Sequence, residues 1–259
     1  MNNQLTAYFQ QRPHLGVFIQ ARMGSKRLPE KMGKPFYGSQ TIPMLLIERL
    51  LKAGIPANQL FLLTTNLPQD FGLVEVAERF SIGVHRGPVN DVLTRFVQAA
   101  HRFSKSTIVR VCADNPFLQP QYILPLLMRL EQENADYVTY QFASGLPAIL
   151  SHTGLWSEVC SLSALKQVRL KTNKENYREH VTNYLYTPNS GFRCSFVPVP
   201  SPWDNFQDYR LTVDTETDFN ALKTLYLLWQ ARPQSLPQLL LNNPECCTHM
   251  ASQILANAK

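Results

Sequence analysis

The chain of 259 residues carries 25 Lys and Arg against 19 Asp and Glu, a formal net charge of +6, and 44% of its residues are hydrophobic. A prior of about 150 residues per domain allows one large or two small domains with a substantial buried core. The basic excess suits an anionic small molecule, and the cations outside one loop are too scattered for a nucleic-acid face.

Residues Met1–His14 are polar and lack the apolar segment of a secretory signal. No run approaches the ~18 apolar residues of a membrane span. A cytoplasmic protein is therefore expected. An apolar run, Gly16-Val17-Phe18-Ile19, then empties into Gln20-Ala21-Arg22-Met23-Gly24-Ser25-Lys26-Arg27-Leu28-Pro29-Glu30-Lys31. The cations Arg22, Lys26, Arg27 and Lys31 crowd this loop, Gly24 and Ser25 free backbone N–H groups, and Pro29 fixes φ and removes a donor. Ligands of open α/β sheets sit outside the carboxyl ends of the strands, so the loop reads as a cradle for a polyanion.

Strands are predicted over Val17–Ala21, Gln59–Thr65, Gly83–His85, Thr107–Cys112 and Asp136–Tyr140, with helices over Pro43–Ala53, Gly72–Phe80, Asp91–Phe103 and Pro120–Glu133. Their alternation implies βαβ units and a mostly parallel sheet. Asp114 and Asp214 each follow a β-rich run, so both carboxylates can face one crevice and offer the hard oxygen ligands that Mg²⁺ takes. Asp218, a turn later, reads as an acidic residue at a helix N-terminus. Alternation breaks down from about Gln141 to Pro202, where an excursion from the sheet with a long polar helix over Asn173–Tyr186 is expected. Residues 211–215 are expected to rejoin the sheet ahead of an amphipathic helix over Glu216–Gln230, and a helical tail follows Ser235.

The cysteines, Cys112, Cys160, Cys194, Cys246 and Cys247, are odd in number and irregularly spaced, which favours reduced thiols. Cys246-Cys247-Thr248-His249 has no second pair at zinc-ligand spacing. Neither the Gly-x-x-x-x-Gly-Lys-Ser/Thr nor the Gly-x-Gly-x-x-Gly pattern occurs, which sets aside P-loop NTPases and dinucleotide dehydrogenases.

The spacing Arg-x-x-Ser-x-Arg-x-Pro-x-Lys after Gln-Ala resembles the signature loop of sugar-activating nucleotidyltransferases. It is most similar to the SpsF-type spore-coat polysaccharide group, related to CMP-Kdo synthetases and acylneuraminate cytidylyltransferases. His85-Arg86-Gly87 with Asp91-Val92-Leu93, Val109-Arg110-Val111-Cys112-Ala113-Asp114-Asn115-Pro116, Arg178-Glu179-His180-Val181-Thr182 and Arg210-Leu211-Thr212-Val213-Asp214 follow in the order of that family. The match departs at Ala113, Cys112 and Glu30, the last standing where Gly is frequent.

The resemblance implies a Rossmann-like three-layer α/β/α nucleotide-diphospho-sugar transferase fold. A nucleotide-binding half spans 14–141, a sugar-binding and dimerisation excursion 142–202, a return strand with the second aspartate and a helix 203–234, and a tail 235–259. It implies cytidylyl transfer from CTP to a sugar or sugar acid, with Mg²⁺ on Asp114 and Asp214 and with Arg22, Lys31, Gly24, Ser25 and Arg27 on the triphosphate. The Ala21 backbone, Arg86 and Asp91 would meet the base and ribose, although Asp91 reads equally as a helix N-cap. Arg178 and His180 would meet the sugar, and a homodimer is expected. A glycosyltransferase of related fold is the first alternative, lacking here its Asp-x-Asp tripeptide, and a non-catalytic nucleotide-binding homologue is the second.

Overall fold

In the computed structural model, which describes residues 2–231 and 235–243, helix α1 (Asn2–Gln10) precedes strand β1 (Leu15–Gln20). β1 is buried along nearly its whole length because it lies at the centre of the sheet, where both faces are covered and an unbroken apolar run is required. The chain then passes through helix α2 (Ile42–Lys52), β2 (Leu60–Thr65), α3 (Phe71–Arg79), β3 (Gly83–Gly87), α4 (Val92–Arg102), β4 (Thr107–Cys112), α5 (Ile123–Gln132) and β5 (Tyr137–Gln141). A four-residue strand β6 (Glu158–Ser161) follows, then α6 (Leu162–Lys171), α7 (Glu175–Glu179), β7 (Cys194–Pro198), α8 (Glu216–Ala231) and α9 (Leu236–Leu241).

The strands form a seven-stranded sheet in the order β3-β2-β1-β4-β6-β5-β7, parallel except for β6, which runs antiparallel to β4 and β5. One face packs on α4 and α6 through Phe18, Phe96, Val97, Leu165 and Val168. The other carries the larger core, with Leu46 and Leu50 of α2, Leu126 of α5 and Leu222 of α8. The three-layer α/β/α fold expected from the sequence is therefore present. The chain leaves β1 toward β2 and β3 and returns on its other side at β4, which creates a topological switch point where Gln20 and Cys112 end adjacent strands.

The structure differs from the expected elements in three places. Residues 142–202 stay with the sheet by adding β6 and β7. β6 is only four residues long and β7 ends in proline at the sheet edge, so neither shows the run of β-formers expected of a strand. The long helix over 173–186 stops at Glu179, because from His180 the backbone makes successive turns (Asn183 N–H to His180 O, Leu185 N–H to Thr182 O) that bury Val181 and Leu185. Residues 211–215 form no strand: Leu211 N–H donates to His152 O and Val213 N–H to Asp114 O, so this segment lies on the loops leaving the sheet. Gly154, at φ +60, allows that approach, since a Cβ there would lie 3.1 Å from Leu211 O. Helix α9 agrees with the expected tail, and the Cys246-Cys247-Thr248-His249 run lies outside the described residues.

Asp91 is the N-cap of α4: its Oδ1 accepts from Thr94 N–H at 2.8 Å, and its Oδ2 accepts from Arg178 at 3.1 Å. Asp91→Ala is expected to cost about 1–2 kcal/mol in urea denaturation. Arg178→Ala should cost a similar amount, and the double variant should cost less than the sum because the pair shares one bond.

Candidate active site

The basic loop begins where β1 ends, and a buried carboxylate sets its course. Asp70 accepts from Met23 N–H at 2.7 Å, from Thr65 N–H at 3.1 Å and from the Thr65 hydroxyl, which clamps the loop to the end of β2. Inside the loop the Ser25 hydroxyl accepts from Leu28 N–H, and Glu30 N–H donates back to Met23 O. Glu30 adopts φ +57, the left-handed region that favours glycine, which accounts physically for the glycine frequent at this position in the resembling family.

The loop returns Lys31 to the centre of the site. Its side chain is 9% exposed, and its ammonium donates to Val213 O at 2.7 Å and lies 3.6 Å from Asp114 Oδ2 and 3.8 Å from Asp214 Oδ1. Asp114 follows β4 while Asp214 follows the 211–213 segment, and the Val213–Asp114 backbone bond holds the two together. Arg27 pairs with Asp214 Oδ1 at 2.8 Å, and Arg22 pairs with Glu179 at 3.0 Å. Each of these cations therefore has a carboxylate partner in the free protein.

Behind Asp214 lies Arg210, which is buried. It bonds Asp214 at 3.1 Å, Asp218 through two nitrogens at 2.8 and 2.9 Å, and His152 Nδ1 at 2.8 Å. A guanidinium only donates, so Nδ1 accepts and the His152 proton sits on Nε2. Asp218 also receives the Asp214 and Thr215 amides at the start of α8. Burial acts to raise the Asp218 carboxyl, but the bonds from Arg210 and from those amides outweigh it and hold the group below its ordinary value. It supports Asp214 from behind rather than facing the cleft.

Two clefts meet at this point. One of about 290 Å³ is lined by Ala21, Arg22, Ser25, Lys26 and Lys31. The other, of about 710 Å³, is lined by Arg110, Asn115, Trp156, Asn176, His180 and Asn183 among others. They share Gln20, Arg27, Cys112, Asp114, Glu179 and Asp214 as a common wall. Burial pushes the Cys112 thiol up to about 12, so it stays protonated and is no nucleophile. At the floor of the larger cleft Arg110 and Glu158, both buried, pair at 3.0 Å across the β4–β6 ladder.

The sequence-selected residues thus divide. Ala21, Arg22, Ser25, Arg27, Lys31, Asp114 and Asp214 converge on the smaller cleft, Gly24 lies in the same loop, and His180 lines the larger one. Arg178, expected on the sugar, is instead committed to the nearby Thr172 O, Arg169 O and Asn173 and, across the fold, to the α4 cap Asp91. Arg86, expected on the base, donates to Thr65 O and Leu67 O and braces the turn after β2. Asp91 serves as the cap described above. Sequence reasoning missed Asp70, Glu179, Arg110, Glu158 and Arg210. Glu179 and Arg210 stand inside motifs already noted, while Asp70 carries no local signal.

The family model for "Cytidylyltransferase" matches residues 17–252. The chain belongs to the cytidylyltransferase family. It is 31% identical to the spore coat polysaccharide biosynthesis protein SpsF of Bacillus subtilis, with 89% of this chain and 95% of that protein covered. Among solved structures it is similar to a cytidylyltransferase from Leptospira borgpetersenii (TM-score 0.75, 27% identity, 90% and 96% of the two chains covered). It shares its fold with a CMP-2-keto-3-deoxy-manno-octonic acid synthetase solved with CTP (TM-score 0.59, 15% identity, 83% and 99% covered). Family membership makes this chain a nucleotidyltransferase.

Asp218→Asn should destabilise the protein by about 3 kcal/mol at neutral pH, because it leaves buried Arg210 undercompensated. The parent carboxyl is held below its unfolded value, so its stabilisation is present above the ordinary carboxylate pKa of about 4 and is lost as pH falls through the lower folded value. Chemical denaturation from pH 7 to 3 should show the parent's advantage over the variant narrowing at the acid end.

Proposed function

We propose that the protein transfers CMP from CTP to a hydroxyl of a sugar or sugar acid, releasing pyrophosphate, in the making of a surface polysaccharide. The observation that carries this reading is the common wall: a cation-lined cleft sized for phosphates and a larger cleft of mixed polar and apolar lining meet at Asp114, Asp214 and Glu179. SpsF and the CTP-bound synthetase support the choice of nucleotide and product class.

The triphosphate would lie along the basic loop, taking Lys31, Arg22, Arg27 and Lys26 as counter-charges. Phosphoryl transfer depends chiefly on such positioning and neutralisation. An acceptor hydroxyl entering from the larger cleft would reach the α-phosphorus beside Asp114 and Asp214, and pyrophosphate would leave along the loop. His180, Asn176 and Asn183 stand where they could position that acceptor.

The residues present fit a divalent cation. Asp114 is about one-third exposed and has Lys31 as its ion-pair partner, and the pair offers oxygen ligands without thiol or imidazole, as Mg²⁺ prefers. Asp114 and Asp214 would hold it, and when bound it would neutralise phosphate charge and acidify the attacking hydroxyl. Self-association through segment 142–202 is part of the proposal, tested by sedimentation of the full chain.

The test of the reaction is pyrophosphate release from the four nucleoside triphosphates, each with a panel of sugar acids, sugar phosphates and neutral sugars. Turnover with CTP and one acceptor class supports the reading, and turnover with no pair overturns it. Asp114→Asn and Asp214→Asn should each lower turnover about 10²-fold, the scale of one lost electrostatic contact to the transition state. Asp114→Asn should melt near the parent, whereas Asp214→Asn, which takes a charge partner from buried Arg210 and Lys31, should melt lower.

In calorimetry with Mg²⁺, CTP should bind more tightly than CMP, and Lys31→Ala should erase most of that difference. Equal binding of CTP and CMP to the parent would remove the loop from the triphosphate site.

A further inference from the structure

Glu179 is the last residue of α7, and its half-exposed carboxylate belongs to the wall common to both clefts. Its Oε1 accepts from Arg22, the first cation of the basic loop, at 3.0 Å. That bond does not fix α7 in place. The neighbouring Arg178 does so through Thr172 O, Arg169 O, Asn173 and Asp91. Glu179 therefore stays at the junction whether or not Arg22 remains with it.

Arg22 is the more mobile partner in energetic terms. A guanidinium and a carboxylate that are each about two-fifths exposed hold one another weakly in water. A triphosphate offers the same guanidinium several anionic oxygens and bidentate geometry. Once Arg22 has moved to phosphate, Glu179 presents a carboxyl group to the larger cleft with acceptor capacity on both oxygens. A polyhydroxylated molecule in that cleft supplies O–H donors.

We propose that Glu179 exchanges partners during the cycle: it holds Arg22 in the free protein, and it binds a hydroxyl of the acceptor once the triphosphate has taken Arg22. On this account Glu179 is a specificity residue for polyhydroxylated acceptors, and nucleotide binding prepares the acceptor cleft. The proposal rests on the reading of CMP transfer to a sugar.

Glu179→Gln keeps the shape of the side chain and removes its charge. Calorimetry with Mg²⁺ and CTP should show binding about two- to fivefold tighter than in the parent, because a competitor for Arg22 is gone. With the acceptor found by pyrophosphate release, its KM should rise about tenfold, the scale of a lost charged hydrogen bond, while the KM for CTP falls or stays level. The two shifts have opposite signs, which general damage to the fold does not produce.

In an Arg22→Ala background, adding Glu179→Gln should tighten CTP no further. Undiminished tightening there would mean simple charge repulsion and would overturn the exchange. Unchanged or weaker CTP binding in the single variant would also overturn it, as would an unmoved acceptor KM or a fall in melting temperature with both affinities weakened. If no acceptor is found at all, the transfer reading fails, and the two calorimetric comparisons still decide the exchange of Arg22.

Discussion

Everything at the junction of the two clefts depends on one buried ammonium. Lys31 lies between Asp114 and Asp214 and is anchored to Val213 O, so it holds together a strand end and a non-strand segment that are a hundred residues apart in sequence. Without a cation between them, two carboxylates brought this close by the Val213–Asp114 bond would repel. Arg210 supplies the second counter-charge from behind, and Asp218 in turn compensates Arg210. The charges alternate outward from the centre, so each layer makes the next tolerable.

The sheet places this arrangement where it can meet a ligand. β1 and β4 are paired in register up to Gln20 and Cys112, and the chain diverges from those two ends, one carrying the basic loop and the other Asp114. Asp70 sets the direction of the first, through bonds that reach from the end of β2. The Arg110–Glu158 pair ties β4, whose Arg110 lines the larger cleft, to the antiparallel strand β6. Burial raises the Glu158 carboxyl while Arg110 works to lower it, so the pair is held by position as much as by charge.

Much of this was legible in the amino-acid order, and the reason is periodicity and local chemistry. β1, β2 and β4 are interior strands buried on both faces, which leaves mostly apolar runs, and the basic loop and Asp114 follow the ends of β1 and β4. What escaped is what only tertiary pairing creates. β6 is short and antiparallel, and β7 lies on an edge and ends in proline, so neither had a pattern to read. Val213 and its neighbours are β-formers and read as strand, yet the Val213 N–H goes to a loop carbonyl. Arg178 and Arg86 carry the residue type of ligand-binding groups, and only the folded chain brings the acceptors on which their donors are spent.

The pairing of the loop cations has an effect that reaches beyond the site. With a net charge of +6 the chain would be expected to attract any polyanion in its surroundings. Arg22, Arg27 and Lys31 each face a carboxylate at short range, so much of their field cancels a few ångströms away. A compact anion entering the cleft would exchange these partners one for one, so that binding separates existing ion pairs rather than filling bare positive charge.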